Sequence, residues 1–385
     1  MPRPWCSTRW SACWRGSSWP GTPRTASPGE PAPPVGRADR LGTVTPDAPS
    51  RDSTDGRAPR RRVVLDTDLG TDVDDALALA LLLGSPEVEL VGVTTVYGDT
   101  DLRARATSRL LELAGVPGPG ALLQTGRGLP VRAGASAPLS GAEVWWAGHE
   151  GTLLGDLTTA TTTPPAPGAA AADDAADWLA ATAAAAPGSV DLLAIGPLTG
   201  VATALRRHPE LAGHLRSLVV MGGRWDGALT AEGLVEDEHN LRSDAVAAAE
   251  VLTCGAPTLV VGLETTQQVR LEAADVERIA AAGPLGAALA AQVRQWWEFW
   301  DEPWGVPHDP VTALLLVDEP EVLQLGPPGR VSVDERGAVV HVPDPSGTVR
   351  VAVGVDAERA ASAVVRRVLA GCRVRSDGPS GHHGG

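Results

Sequence analysis

Residues 63–83 read VVLDTDLGTDVDDALALALLL. Val63-Val64-Leu65 is a short apolar, β-branched run, and Ala76 to Leu83 is apolar for the length of a helix. Between them five aspartates, Asp66, Asp68, Asp72, Asp74 and Asp75, fall within ten residues. The carboxylates therefore stand where a strand ends and a helix begins. Acids suit the first turn of a helix because they complement its dipole, but capping uses one or two. Five at one turn repel one another unless a cation or water separates them. Calcium and magnesium are hard cations that take oxygen ligands of this kind. The stretch reads as a metal or catalytic turn within a strand–turn–helix unit.

Outward from this unit, strand-like apolar runs alternate with helical ones. Strands are expected at 63–66, 88–97, 121–125, 190–195, 217–221 and 258–262. Helices are expected at 74–83, 101–114, 170–185, 199–206, 243–253, 272–282, 285–301 and 356–370. The alternation predicts an α/β fold, an open, mostly parallel, Rossmann-like sheet with helices on both faces. Residues 330–353 predict a small late β-hairpin or meander at an edge, and 156–168 a low-complexity loop. Long polar insertions fall at 126–150 and 222–240. Residues 1–60, rich in Pro, Gly, Ser, Thr and Arg, are expected to form a disordered or dispensable extension. A partner-binding motif carried by Trp5, Trp10, Trp14 and Trp19 is the alternative. Residues 373–385 read as a disordered tail, which leaves one domain at 61–372.

With 385 residues, 43% of them hydrophobic, the chain can bury a large core. All 32 basic residues are arginine; there is no lysine. Residues 1–62 hold 11 arginines against 5 acids, so residues 63–385 hold 21 against 42 and carry −21. Such an acidic body argues against a nucleic-acid partner held through its phosphates. It suits a neutral or cationic small molecule together with a bound metal. Cys6, Cys13, Cys254 and Cys372 have no zinc-site or disulfide-framework spacing. No apolar run reaches membrane-spanning length, and the N-terminus lacks the apolar segment of a secretory signal. No membrane partner and a cytoplasmic location are the expectations.

In open α/β sheets ligands bind outside the carboxyl ends of the strands. The unusual polar motifs all map there. Tyr97-Gly98-Asp99 follows the second strand, Gly196-Pro197-Leu198-Thr199 follows DLLAI, and Met221-Gly222-Gly223 opens the loop to Glu238-His239-Asn240. Later, Pro307-His308-Asp309-Pro310 precedes the apolar run Val311 to Val317. Asp309 there reads either as a helix cap or as a distant ligand completing a shell of six to eight oxygens.

In order, DTDLGTDVDDALAL, VYGD, AIGPLTG, VVMGG, EHNLRSD and HDP resemble the motifs of the nucleoside hydrolases, the inosine–uridine-preferring family, over about residues 63–370. The resemblance implies calcium-dependent cleavage of the N-glycosidic bond of ribonucleosides, and a homo-oligomer, dimer or tetramer. It implies Asp68, Asp75, the Thr199 carbonyl and Asp309 as the calcium ligands. Asp68 would also be the base that activates water, with Asp66 supporting the shell. Asp74 would hold a ribose hydroxyl, Glu238 and Asn240 the sugar, and His308 would protonate the leaving base. Departures from the pattern are the two extra residues that add Asp72, Asp99 in place of Asn, His239 in place of an aromatic residue, and Gly200 in place of Asn.

The residues suit that chemistry. Breaking a ribosyl C–N bond builds oxocarbenium character, which carboxylates stabilise. Stacking on the base is the expected role of a tryptophan, Trp300 or Trp146, although Trp296 and Trp300 share a helical face that core packing would also explain. His149 is expected in a mobile lid over the substrate or, alternatively, in a plain surface loop. Two other readings compete. A haloacid-dehalogenase-type phosphatase also begins strand–DxD, but Gly70 stands where it wants Thr or Val, and its usual lysine is missing. A non-catalytic nucleoside- or ribose-binding protein would keep the pocket without turnover.

Overall fold

The computed structural model describes residues 60–117, 128–146, 148–149, 151–225 and 238–373. The expected N-terminal extension, the tail beyond Arg373 and the expected strand 121–125 lie outside the described residues, as does most of the loop 222–240.

The first half of the domain alternates as its sequence pattern requires. Strand β1 (Arg61–Thr67) leads into α1 (Asp74–Leu83), β2 (Val88–Thr95), α2 (Thr100–Leu113) and the short β3 (Val131–Ala133). Then come α3 (Ala171–Ala184), β4 (Val190–Ala194), α4 (Thr199–Arg207), α5 (Leu211–His214) and β5 (Leu215–Met221). Helices α6 (His239–Ser243) and α7 (Ala245–Leu252) precede β6 (Thr258–Val261). Four helices follow, α8 (Leu263–Thr266), α9 (Ala273–Ala280), α10 (Pro284–Trp300) and α11 (His308–Ala313). The domain ends with β7 (Leu323–Leu325), β8 (Gly329–Val333), β9 (Val339–Pro343), β10 (Val349–Val355) and α12 (Ala357–Cys372).

The strands form one sheet in the order β3-β2-β1-β4-β5-β6-β10-β8-β9, with β7 beside β10. All pairs from β3 to β10 along that path are parallel. Chain order reverses between β1 and β4, where a doubly wound sheet opens a crevice at its carboxyl edge. Both faces are covered: Val63 and Leu65 belong to one apolar cluster, and Val64, Leu192 and Val220 to the other. Hence the central strands read as continuous apolar runs rather than alternating ones. Helix α1 is buried along nearly its whole length and packs on α12 at glycine contacts. A Cβ on Gly371 would sit 1.9 Å from the Ala80 carbonyl oxygen, and one on Gly84 would sit 2.0 Å from that of Arg367.

The late β-region departs in part from expectation. Strands β8 and β9 are an antiparallel hairpin ending the sheet, as the sequence suggests. Strand β10 is no edge element: it runs parallel to β6 and lies between β6 and β8. Burial of Val349, Val351 and Ala352 accounts for that position. Strands β3 and β7, three residues each, are too short to carry a period.

Candidate active site

Strand β1 carries Asp66, Thr67 and Asp68 to the crevice, and α1 begins at Asp74. Asp66, Asp68, Asp74 and Asp75 are all buried, whereas Asp72 in the lengthened turn is partly exposed. Each carboxylate has a fixed neighbour. Thr94 Oγ1 donates to Asp66 Oδ2 at 2.6 Å, Thr71 Oγ1 to Asp68 Oδ2 at 2.7 Å, and Thr67 Oγ1 to Asp75 Oδ1. Asp72 Oδ1 accepts the Asp74 amide at 2.7 Å. Asp309, at the start of α11, arrives from 235 residues away, and its amide donates to Asp74 Oδ2 at 3.2 Å. Below the turn, fully buried Arg103 donates to the carbonyl oxygens of Tyr97, Asp68 and Leu69.

The electrostatics single out one member. Burial, then repulsion from neighbouring acids, pushes Asp74, Asp75 and Asp309 well above the ordinary carboxylate range. Burial also raises Asp66, to about 7. Burial acts on Asp68 as well, but His239, Arg103 and the Thr71 hydroxyl outweigh it and leave its pKa lowered. Asp68 is thus the acid kept as an anion, the state a proton acceptor needs. The others want either protons or a cation. Oxygens of Asp72, Asp74 and Asp75 lie within 4.8 Å of one another, and Asp66 Oδ1 is buried without a hydrogen-bond partner. An all-oxygen donor set with an orphaned carboxylate oxygen beside it fits a hard divalent cation.

The turns after β4 and β5 close on this floor. A Cβ on Gly196 would lie 2.8 Å from Asp68 Oδ1, and one on Gly200 would lie 3.0 Å from Asp66 Oδ2. Any side chain at 200 would press on the Asp66 carboxylate, so the Gly200 departure matches the packing. Thr199 is buried, its hydroxyl donating to Asp244 Oδ2 at 2.7 Å while its carbonyl accepts from Thr203 Oγ1 at 2.8 Å. Glu238, raised by burial, caps α6 by accepting the amides of Asn240 and Leu241, both at 2.8 Å. Asn240 Nδ2 donates to the carbonyls of Ile195 at 2.9 Å and Met221 at 3.1 Å, tying the ends of β4 and β5 together. His239 between them turns to the floor: its Nε2 lies 3.3 Å from Asp68 Oδ2. Tyr97 packs edge-on to the His239 ring and Trp145 tilts over it.

Aromatic side chains build the rim. Trp146, His149, Trp296 and Phe299 pack against one another, joining the loop after β3 to the end of α10. The His149 amide donates to the Gly70 carbonyl at 2.8 Å, and Trp146 Nε1 to that of Thr71 at 3.3 Å. Trp296 and Trp297 line the crevice beside Asp72 and Asp74. Trp300 meets Trp296 edge-on with its own side chain 38% exposed. His308 Nδ1 pairs with Thr266 Oγ1 at 2.7 Å, and burial lowers its pKa to about 4, so it is neutral at pH 7. Asp99 is exposed and caps α2, accepting the Leu102 amide at 2.9 Å.

The fold therefore gathers Asp68, Asp74, Asp75 and Asp309, with Thr199, Glu238, Asn240 and His308 on the turns around them. His149 stands on the rim, and Asp99 and Trp300 lie further out. Sequence reasoning missed Thr67, Thr71, Thr94, Arg103 and Asp244. Threonine in a strand and arginine in a helix are too common to flag, and their partners are distant in sequence.

A crevice with an acidic floor and aromatic rim, at the switch point of a doubly wound sheet, defines a small-molecule site rather than a macromolecular face. The chain belongs to the inosine-uridine preferring nucleoside hydrolase family, whose model matches residues 63–362. It is similar to a probable uridine nucleosidase 1 from Oryza sativa subsp. japonica, 33% identical over 269 residues, covering 67% of this chain and 77% of that protein. A pyrimidine-specific ribonucleoside hydrolase, RihA of Salmonella arizonae, is 32% identical over 274 residues, covering 66% of this chain and 79% of its own. Among solved structures, a plant nucleoside hydrolase superposes with a TM-score of 0.66 at 28% identity, over 81% of this chain and 99% of that one. A purine-preferring ribonucleoside hydrolase from Gardnerella vaginalis gives 0.65 at 26%, over 82% and 100%. The chain is accordingly a nucleoside hydrolase acting on N-glycosyl bonds, and the phosphatase reading is set aside. Among the described residues no helix is long and apolar enough to cross a membrane.

Proposed function

We propose that the domain at 61–372 hydrolyses ribonucleosides to ribose and free base with calcium as its cofactor, as a dimer or tetramer. The observation that carries this reading is the meeting of Asp309 with the Asp68–Asp75 turn: buried carboxylates from both ends of the domain share one floor. Asp68, Asp75, Asp309 and the Thr199 carbonyl would hold the ion. Bound calcium would orient water and the ribose hydroxyls and make that water somewhat more acidic.

The chain's own residues do the rest. Asp68, the carboxylate held as an anion, takes the proton of the attacking water. The Thr71 hydroxyl and the Arg103 grip on its backbone fix its orientation. Asp74 accepts a ribose hydroxyl, and Glu238 and Asn240 border the sugar from the β5 side. Clustered negative charge favours the cationic sugar that forms as the C–N bond lengthens. His308, neutral at pH 7, assists the departing base by donating a hydrogen bond rather than by delivering a stored proton. His149 and the rim aromatics enclose the base.

Ribose release from purine and pyrimidine nucleosides, with calcium and then with a chelator, tests this reading. Turnover is expected with the metal and not after its removal. Metal-loaded protein that binds nucleosides but hydrolyses none would instead support the non-catalytic alternative. Light scattering checks the assembly; a monomer at all concentrations would contradict the dimer or tetramer.

A further inference from the structure

Beside the ribose acid Asp74, two adjoining clefts share Asp72, Val73 and Trp296. One adds Trp297 and Pro307, the other His149 and Gln292. Their walls are anionic and aromatic. Neither is lined by an arginine among the described residues, and the chain has no lysine. Asp72, the acid added by the lengthened turn, is partly exposed there, with Oδ1 accepting the Asp74 amide. Gln292 spends its amide on the Ala288 carbonyl at 3.3 Å. An indole face attracts a cation through its quadrupole, and a carboxylate beside it adds Coulomb attraction that strengthens as water is excluded. The surplus of acids over residues 63–385 draws cations toward the crevice from a distance.

We propose that these clefts select nucleosides whose base is positively charged, N-ribosylpyridinium or N7-alkylated purine nucleosides, with Asp72 and Trp296 as the selecting residues. The proposal rests on the nucleoside hydrolase reading above and names its substrate class. In such a substrate the C1′–N bond breaks with its electron pair passing to the ring nitrogen. That discharges the ring, so the base departs neutral and needs no proton. The oxygen of water bonds to C1′, and its proton goes to Asp68. Asp72 thereby holds the cation before cleavage and lets the neutral product go.

The test is steady-state kinetics on the calcium-loaded full chain, comparing 7-methylguanosine with guanosine and nicotinamide riboside with uridine. Each cationic member is expected to have a KM about tenfold below its neutral partner. Asp72→Asn keeps an acceptor for the Asp74 amide, and it should shrink that KM ratio about tenfold, as should Trp296→Leu. Cationic bases also leave faster in water, so the change in ratio between wild type and variant is the reading that counts. Equal KM values within each pair in the wild type would overturn the proposal, as would a ratio untouched by Asp72→Asn. So would a loss of calcium affinity in Asp72→Asn that accounts for the whole effect, since Asp72 would then be a metal ligand. Hydrolysis of guanosine and uridine with refusal of both cations sinks only this proposal. No hydrolysis of any of the four sinks the nucleoside hydrolase reading with it.

Discussion

The floor of the crevice and its rim meet at Asp72 but are built differently. On the floor, Asp66, Asp68, Asp74, Asp75 and Asp309 are buried, and threonine hydroxyls or main-chain amides fix four of them. On the rim, Trp145, Phe299 and Trp300 lie substantially in solvent and hold mainly to one another. A buried carboxylate array is electrostatically unfavourable unless something neutralises it, so its retention points to chemistry. A half-exposed aromatic cluster costs little and can shift. Rigidity is placed where protons move, and adaptability where substrates differ.

Asp68→Asn should break the floor most severely. Removing a general base typically costs 100- to 10,000-fold, so turnover should fall by about that factor while the melting temperature stays close to wild type. Near-normal ribose release by that variant would remove Asp68 as the base. Arg103→Met tests the support beneath. The substitution strands the carbonyls of Tyr97, Asp68 and Leu69, and losing a buried charged donor costs about 3 kcal/mol. Urea unfolding should show a loss of that order; a change below about 0.5 kcal/mol, the usual surface value, would mean the turn stands without it.

A pH series probes the floor without mutation. Asp66 is raised to about 7 on folding, so its protonated form favours the fold, and that contribution is lost as pH rises through 7. The raised Asp74, Asp75 and Asp309 act in the same direction. His308, lowered to about 4, acts oppositely, adding stability as pH rises from 4 to its ordinary 6.5. Between pH 6.5 and 8 only the carboxylates contribute to this slope. The chelated protein should therefore melt lower at pH 8 than at pH 6.5, and calcium should flatten the difference. A calcium-free melting temperature that rises across the window contradicts the account. At the rim, Trp300→Ala should change stability and ribose release least, by no more than about 0.5 kcal/mol or twofold. A tenfold rise in KM would place Trp300 on the base after all.

Much of this was legible in the chain. Helix α1 begins and ends where the apolar run does, and the need for ligands beyond the turn pointed to Asp309. Pairing partners were less readable. The run that forms β10 looks like the last strand of a meander, and only burial of Val349 and Val351 against β6 decides its neighbour. Which tryptophan lines the crevice was also hidden. Trp296 and Trp300 are one helical turn apart, but α10 ends at Trp300, which leaves that ring at the margin. The contact of His239 with Asp68 could not be read, because it depends on how the chain returns from a loop beyond β5.

The central claim is that acids from the β1–α1 turn and from α11 form one calcium site. Calorimetric titration of calcium into the chelated wild type and into Asp309→Asn tests it most directly. The account predicts one ion per chain for the wild type, and binding weakened at least about 100-fold by loss of one shell carboxylate. Equal affinity in the two proteins, or no calcium binding by the wild type, would contradict it.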